Sequence, residues 1–413
     1  MARVSIDQLT SDMVLSDNVR GINSKLLLTK GVRIEAKHIR ILKMWGVCEV
    51  DVEGADPAVE EAQAPLNAEQ FDLAGRDIIR LFSNLDMGHP AIKEIVKLSI
   101  PYRMAGTTNK LDTGYPKWNT PIPDAMPAKD LLARIERIDV KLPEVPSLVF
   151  ELNEIMADPL SSSADIARLV NQSPSLAAML LKIVNSAFYG FRSRVDSISR
   201  AVVMIGSKEI SNLALGITIM ETFRDIPRQV LDVESFQEHN LACGIVARIL
   251  AAHGNIAGTE QLFVSGMLHD IGRLVLCKYF PQVTRAIIAQ ARQSGHSLMQ
   301  IERNVTGCTH AQIGKKLIQK WKLPYALENN VHYHHNPSAS PNPESAAIVQ
   351  VADIIVHGLG IGGSVEHLVP GFDGETWDRL KIPVGALPSI LHQALHQIQN
   401  FRSVFIGDPG DGH

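Results

Sequence analysis

Residues 266–274 read GMLHDIGRL, so that His269 and Asp270 stand side by side within a largely apolar stretch. Imidazole nitrogen and carboxylate oxygen are both ligands for transition metals. On either side of this stretch, apolar residues recur at helical spacing rather than in the alternation typical of strands. The segment therefore predicts a candidate pair of metal ligands inside a helical domain.

Helix signals continue through the C-terminal two-thirds of the chain. Leu148, Leu152 and Ile155 share one helical face, and no alternating strand of convincing length interrupts the segments after them. Capping residues and prolines predict further helix starts at Ser163, Ser173, Ser199, Ser207, Ser235, Thr259, Thr309 and Pro324. We expect residues 360–383 to be a surface excursion and residues 386–401 to form a closing helix.

The N-terminal part shows mainly short strand patterns in place of continuous helical periodicity. Short strands are expected at residues 4–6, 13–15, 26–29 and 50–52, with a helix over residues 35–45. Residues 53–65 are rich in Ala, Glu and Pro, which is typical of a linker. The predicted domains are a small β/α unit at 1–55, a linker with short helices and a Pro-rich loop at 56–128, and a helical domain at 129–404, divided near residue 230.

Composition and charge indicate an ordinary globular protein. The 413 residues carry a formal net charge of −4, and Lys and Arg form no block, so nucleic acid is not an expected partner. The first residues lack an apolar run of signal-peptide length, and the run 241–252 is too short to span a bilayer. We expect a cytoplasmic protein without a membrane span. The four cysteines form no CxxC pair, so core packing is expected rather than zinc-thiolate binding.

The candidate metal ligands are scattered along the helical domain. His239 lies on the helix that starts near Ser235, and Asp353 completes a set with His269 and Asp270. Further candidates follow at His310, His332, His334 and His335. One or two ions of Zn, Fe, Mn or Ni suit such a set, because a bridging aspartate can hold two metals near one water. A core role for each histidine is the alternative.

A second set of residues predicts a surface for a ligand or a partner. Asn185, Phe188 and Tyr189 combine polar and aromatic side chains at a helix end, although a simple helix terminus is the alternative interpretation. Lys208 follows Ser207 at a helix start, where an anion can bind, although a plain turn between helices explains the same residues.

Several motifs together resemble the HDOD family, the HD-related output domain of bacterial signalling proteins. The resemblance runs from residue 131 to about 357, and as far as 401, and it is carried by LPEVP (142–146), LKIVNSAFYG (181–190), AVVMIG (201–206), GMLHDIGRL (266–274), HAQIG (310–314), WKLP (321–324) and YHHNP (333–337). The first fifty or so residues resemble, more loosely, a unit that precedes some HDOD and HD-GYP domains.

This resemblance implies an all-helical HD-like bundle preceded by the small β-containing unit, with residues 231–404 as the HD-like part. It places His239, His269, Asp270 and Asp353 on the metal-ligand positions of the HD phosphohydrolases. It also implies regulation, since many HDOD proteins have lost ligands and act by binding partners.

The departures from the catalytic relatives bear on function. Arg273 stands where an HD-GYP phosphodiesterase carries lysine, and NPSASP (336–341) follows the double histidine in place of a Gly-Tyr-Pro segment. An arginine does not readily donate a proton, but it can clamp a phosphate. We therefore expect a signalling protein that binds a protein partner or a ligand, with a metal-dependent phosphohydrolase using Asp270 and Arg273 as the alternative. Nucleotide binding without hydrolysis, through Arg273 or Lys208, is a third hypothesis.

Overall fold

The structure is a computed structural model. It describes residues 2–5, 9–20, 26–35, 37–39, 42, 49–53, 75–76, 78–104, 131–132, 147–158, 160–186, 189, 191, 193–363 and 366–405. The linker expected at 53–65 lies almost wholly outside these residues, as does the part of the Pro-rich loop after residue 104.

The N-terminal unit contains two small antiparallel sheets. Its strands are β1 (Ala2–Ser5), β2 (Val19–Arg20), β3 (Leu26–Leu28) and β4 (Glu49–Val52). β1 pairs with β4 and β2 pairs with β3. The strand expected at 13–15 contributes only isolated bridges, from Val14 to Arg33 and from Leu15 to Val52. These residues enclose their own apolar core around Leu15, Ile34 and Val52.

The remainder of the described chain is helical, as the sequence predicts. The helices are α1 (Pro90–Met104), α2 (Ser147–Ala157), α3 (Ser163–Asn171), α4 (Pro174–Val184), α5 (Ile198–Ile205), α6 (Ser207–Glu221), α7 (Val233–His253), α8 (Thr259–Leu268), α9 (Ile271–Tyr279), α10 (Pro281–Ser294), α11 (Leu298–Thr306), α12 (His310–Lys320), α13 (Tyr325–Tyr333), α14 (Pro343–Leu359), α15 (Gly374–Leu380) and α16 (Leu387–Phe405). Short 3-10 turns precede α14 and α16, at Pro337–Ala339 and Val384–Ala386.

Local capping explains several of these boundaries. Ser173 caps α4 just before Pro174, and Thr309 forms a capping box with Gln312 at the start of α12. The expected cap at Ser207 is wrong, because Gly206 is the N-cap of α6 and Ser207 is its first helical residue. Likewise, α7 begins two residues before Ser235 and is capped by Asp232.

Two glycines set how closely the central helices approach one another. A Cβ at Gly266 would lie 2.8 Å from the Cα of Gly244, so α8 packs directly against the backbone of α7. A Cβ at Gly272 would lie 2.0 Å from the carbonyl oxygen of His310, so the start of α9 lies against the start of α12. The two glycines flank the His269 and Asp270 pair, which explains why a short, glycine-bounded motif lies at the centre of the bundle.

The segment 360–383 is not the surface excursion that its composition suggests. Gly362 lies against α7, where an added Cβ would meet the backbone nitrogen of His239 at 2.4 Å, and Gly363 donates a backbone hydrogen bond to the carbonyl oxygen of Ser235. Glu366 and Trp377 are both buried. The polar composition is misleading here because Glu366 finds a buried cationic partner.

Helix α1 lies within the segment expected to be a linker with short helices and a Pro-rich loop, and it continues through Pro101 to Met104. Its Arg103 donates hydrogen bonds of 2.6 Å to the carbonyl oxygens of His357 and Gly358 at the end of α14. A guanidinium at a helix C-terminus satisfies carbonyls that have no partner within the helix. A helix assigned to the linker by sequence is thus packed on the helical domain.

Among the described residues, no single helix has both the length and the hydropathy needed to cross a bilayer. The pair α5 and α6 reaches that hydropathy only when the two are taken together, and they are bent by 120°.

Candidate metal centre

The first ligand group joins three predicted ligands with a cysteine. It consists of His239, Cys243, His269 and Asp353, whose ligand atoms all lie within 4.8 Å of one another. His239 Nε2 is 3.1 Å from Asp353 Oδ1 and 3.5 Å from Cys243 Sγ. His269 Nε2 is 3.7 Å from the same Asp353 oxygen. Three helices supply the group, since His239 and Cys243 lie one turn apart on α7, His269 ends α8 and Asp353 lies on α14.

The second ligand group consists of Asp270, His310, His334 and His335, again with ligand atoms within 4.8 Å of one another. His310 Nε2 is 3.2 Å from Asp270 Oδ1 and 3.0 Å from His335 Nε2. It is also 3.4 Å from His334 Nε2. The structure thus brings together the histidines that the sequence suggests as further candidates. His332 is in neither group and instead packs edge-on against Tyr333.

Asp270 lies between the two ligand groups. Its Oδ2 is 3.5 Å from His269 Nε2, whereas its Oδ1 faces His310 in the second group. A carboxylate whose two oxygens face two adjoining nitrogen-rich groups has the arrangement of a bridging ligand. The geometry therefore suits two neighbouring ions.

Three of the histidines are held by a hydrogen bond from the ring nitrogen that faces away from the groups. The Nδ1 of His269 donates to the carbonyl oxygen of Gly266 at 2.7 Å, and the Nδ1 of His334 donates to that of Val331 at 2.8 Å. His310 Nδ1 lies 2.7 Å from Glu302 Oε2. Because the carbonyls can only accept, the neutral rings of His269 and His334 carry their proton on Nδ1. Each Nε2 is then a lone pair directed into the centre, as in metal-binding histidines.

These lone pairs provide a test of whether a metal fits. The Nε2 atoms of His310 and His334 face each other, and carboxylate oxygens converge on the same space. His269 Nε2 is buried and makes no hydrogen bond to the described residues, whereas Asp270 Oδ1 lies 3.2 Å from the Nε of Arg273. Imidazole lone pairs gathered in this way, away from water, repel one another and the nearby carboxylates unless a cation lies between them. The residues therefore fit divalent transition metals bound by nitrogen and oxygen.

The electrostatics of the centre favour the protonation states that bind metal. Burial, together with the nearby His269 and His310, lowers the pKa of His334 to about 3. Burial raises the pKa of the Asp270 carboxyl, but the Arg273 guanidinium and the His269 imidazole outweigh that effect and hold it below its usual range. At neutral pH His334 is therefore neutral and Asp270 is ionised.

Arg273 is enclosed between two carboxylates. Its Nη2 donates to Glu366 Oε1 at 2.5 Å, and its Nε lies 3.2 Å from Asp270 Oδ1. Arg273 is 3% exposed and Glu366 is 4% exposed. Burial raises the pKa of Glu366, while Arg273 opposes that rise. The guanidinium that could clamp a phosphate is thus already paired with acidic side chains.

The other predicted surface residues are placed differently. The Asn185 side chain bonds both backbone groups of Val195, at 2.8 and 2.7 Å, and so closes the loop that leads to α5. Tyr189 is half-buried beneath the guanidinium of Arg248, 5.1 Å from the ring centroid. Lys208 is exposed on the first turn of α6, and Phe188 lies outside the described residues. A role in partner or ligand binding stays a prediction for all four.

Three buried residues of the centre were missed by the sequence reasoning. Cys243 follows His239 by four positions, a spacing that places both on one helix face and could have been recognised. Glu302 and Glu366 had no such signal, because neither lies in a motif with the histidines they support. Only the folded chain brings them to the centre.

Comparison with known proteins agrees with this fold. The model of the HDOD domain family matches residues 142–337. An HDOD domain protein of unknown function from Geobacter sulfurreducens superposes with a TM-score of 0.51 at 21% identity, covering 67% of this chain and 98% of its own. A protein from Shewanella amazonensis SB2B, named as a candidate phosphohydrolase, superposes with a TM-score of 0.52 at 22% identity, covering 65% and 97%. At these identities the likeness shows the shared fold.

A sequence relative is longer than the matched region. An uncharacterized protein of Treponema pallidum (strain Nichols) is 29% identical over 223 residues, which are 52% of this chain and 42% of that protein. This chain therefore spans less than half the length of that relative.

Proposed function

Because this chain carries an HDOD domain over residues 142–337, we propose that it is a signal-transduction protein that acts by binding a protein partner or a ligand. In this proposal the two ligand groups hold one or two divalent metal ions, which fix the arrangement of the helices in the form that binds. Zinc, iron, manganese and nickel all suit the nitrogen and oxygen donors.

The observation that carries the proposal is the enclosure of the ligands. Seven of the eight residues in the two groups are buried, and only His335 is partly exposed. The segment that contains Gly362 and Glu366 lies over α7 and holds Arg273. A phosphoester that paired with Arg273 would have to separate its buried ion pair with Glu366. Such enclosure favours a metal that orders the fold over a metal that meets a substrate.

In a loaded centre, His239, His269 and Asp353 would hold one ion and Asp270, His310 and His334 the other. A metal in such a site supplies Lewis-acid polarisation to any group that reaches it. The chain's own contribution is to orient the imidazoles through Gly266, Val331 and Glu302, and to keep water out by burial.

A metal-dependent phosphohydrolase is the second candidate function. The specific observation in its favour is that Asp270 lies between two adjoining ligand groups, as a bridging carboxylate does in two-metal hydrolases. In that case Arg273 would have to exchange Glu366 for a phosphate oxygen. The protein from Shewanella amazonensis supports this candidate only by its name and fold.

Metal analysis of protein purified without an affinity tag tests the proposal. Wild type should retain metal in stoichiometric amount, and the double variant His269→Ala, Asp270→Ala should lose it. His296→Ala changes an exposed histidine outside both groups and should keep the metal content of wild type. Metal-free wild type with an intact fold would overturn the metal centre.

The same preparations separate the two functions. We expect loaded wild type to leave a panel of phosphomonoesters and phosphodiesters unhydrolysed. Hydrolysis that Asp270→Ala abolishes and His296→Ala leaves unchanged would replace the regulatory proposal with the enzymatic one.

A further inference from the structure

We propose that Cys243 binds metal as a thiolate and that the first ligand group is a closed, four-coordinate zinc site. This inference rests on the metal centre proposed above and adds to it a ligand and a metal preference. The absence of a CxxC motif favours a packing role for this cysteine. Its position on α7, one turn after His239, brings its sulfur to the same ligand group instead.

The distances within the group match the edges of a coordination tetrahedron. With zinc bonds of about 2.0–2.1 Å to nitrogen or oxygen and about 2.3 Å to sulfur, tetrahedral angles place N and S roughly 3.5 Å apart, and N and O roughly 3.3 Å apart. Cys243 Sγ lies 3.5 Å from His239 Nε2. The two imidazole-to-Asp353 distances are 3.1 and 3.7 Å, on either side of the expected edge.

A second observation points to a ligand independently of the cysteine. The Nε2 of His269 is fully buried, aims into this group and makes no hydrogen bond to the described residues. A buried acceptor without a partner costs about 1–3 kcal/mol, which a bound cation would remove. The alternative role of Cys243, a weak S–H bond to His239, leaves His269 Nε2 unsatisfied.

The other buried cysteines show that burial alone does not create this arrangement. Cys308 Sγ contacts the hydroxyl of Thr306 at 3.5 Å, and neither Cys308 nor Cys277 belongs to a ligand group. Cys277 lies on α9 and is as deeply buried as Cys243. It therefore provides a matched control for substitution of a core thiol.

The thiolate makes the two groups chemically unequal. Sulfur in the first group favours zinc over manganese or magnesium, whereas three imidazoles and a carboxylate in the second accept a wider range of ions. The first group supplies four protein ligands without Asp270, whose carboxylate then serves the second group alone, so the first group is complete without water, as structural zinc sites are. Only the second group includes a partly exposed ligand, His335.

Cobalt substitution tests the role of Cys243. Cobalt(II) bound by thiolate gives a sulfur-to-metal charge-transfer absorption that nitrogen and oxygen ligands do not give. The full chain, stripped of metal and loaded with cobalt, should show this band. Cys243→Ser should lose it while still binding cobalt at the second group, and Cys277→Ser should keep it. Circular dichroism of each variant controls for folding.

Three results would overturn the inference. If wild type binds cobalt without the band, or if the band persists in Cys243→Ser, then Cys243 is not a ligand, although the metal centre stands. If wild type binds no cobalt at all, both proposals fail. Should Cys243→Ser not fold, X-ray absorption of zinc-loaded wild type decides the matter, since the average zinc environment must include sulfur at about 2.3 Å.

Discussion

The Nε2 atoms of His310 and His334 lie 3.4 Å apart, while the Nδ1 atoms of the same rings are engaged by Glu302 and by the carbonyl oxygen of Val331. Two imidazoles held in this way cannot both turn away from each other without giving up a buried hydrogen bond. A cation shared between them would resolve the conflict, because without one the two lone pairs face each other in a dry interior. Substitution of a residue that bonds an Nδ1 atom, such as Glu302, should therefore change metal affinity, as substitution of a ligand would.

Glu302 should therefore control metal affinity without touching the metal. Its carboxylate accepts from both the Nδ1 and the backbone nitrogen of His310, at 2.7 and 2.8 Å. We expect Glu302→Ala to weaken metal binding about 10–100-fold, because the His310 ring loses its fixed orientation. Competition titration with a chromogenic chelator measures the change. Glu302→Gln keeps an acceptor and should lose less, so equal binding by wild type and both variants would argue against an orienting role.

Metal removal should lower the thermal stability of the chain. An ion present at 100 times its Kd stabilises the folded form by about 2.7 kcal/mol relative to an unfolded chain that does not bind it. We expect a chelator to lower the Tm by several degrees. The double variant His269→Ala, Asp270→Ala is the control, because its Tm should not respond to chelator. A wild-type Tm unaffected by prolonged chelation would mean that no ion orders the fold.

Glu366 should be important for stability because it neutralises a buried guanidinium. Removing one partner of a buried ion pair costs roughly 3–5 kcal/mol when the remaining charge is left alone. Asp270 still lies 3.2 Å from Arg273 Nε, so we expect Glu366→Ala to lower the free energy of unfolding by no more than about 3 kcal/mol, measured by urea denaturation. Glu375→Ala, at an exposed position of the same segment, should change it by no more than about 0.5 kcal/mol. Similar stability in the two variants would show that Arg273 finds another partner or solvent.

The helical class could be predicted from the sequence, as could most of the residues that the structure gathers into the two candidate ligand groups, because both depend on local patterns. Helical periodicity is visible within each segment, and His269 and Asp270 are adjacent in a short motif. The prediction that His239 and Asp353 lie beside His269 also depends on the resemblance to the HDOD family, because the spacing of these residues does not by itself bring them together.

The features that could not be predicted depend on pairing between distant segments. Arg273 and Glu366 are 93 positions apart, and nothing in the polar composition of residues 360–383 indicates that one of its carboxylates is buried. The same holds for α1, whose Arg103 bonds the end of α14 some 250 residues later. In both cases a charged side chain is buried because a specific partner meets it, and a single sequence does not show that partner.

Gly272 should be required for the distance between the two ligand groups. A Cβ at this position would meet the carbonyl oxygen of His310 at 2.0 Å and the backbone nitrogen of Gly314 at 2.8 Å. Neither backbone atom can move aside as a flexible side chain would, so Gly272→Ala should push α9 away from α12. We expect a loss of about 1–3 kcal/mol in the free energy of unfolding, as is typical of overpacking. Because Asp270 and His310 lie at the starts of these two helices, metal affinity should fall together with stability.

Gly371→Ala is the matched control, since a Cβ there meets nothing within 4 Å. Urea denaturation and metal analysis of both variants separate the two effects. If Gly272→Ala has the same free energy of unfolding as Gly371→Ala and keeps its metal, the close approach of α9 to α12 does not hold Asp270 in place. If it is destabilised but keeps full metal affinity, the bound ion itself is enough to draw Asp270 and His310 together, and the glycine contributes to packing alone.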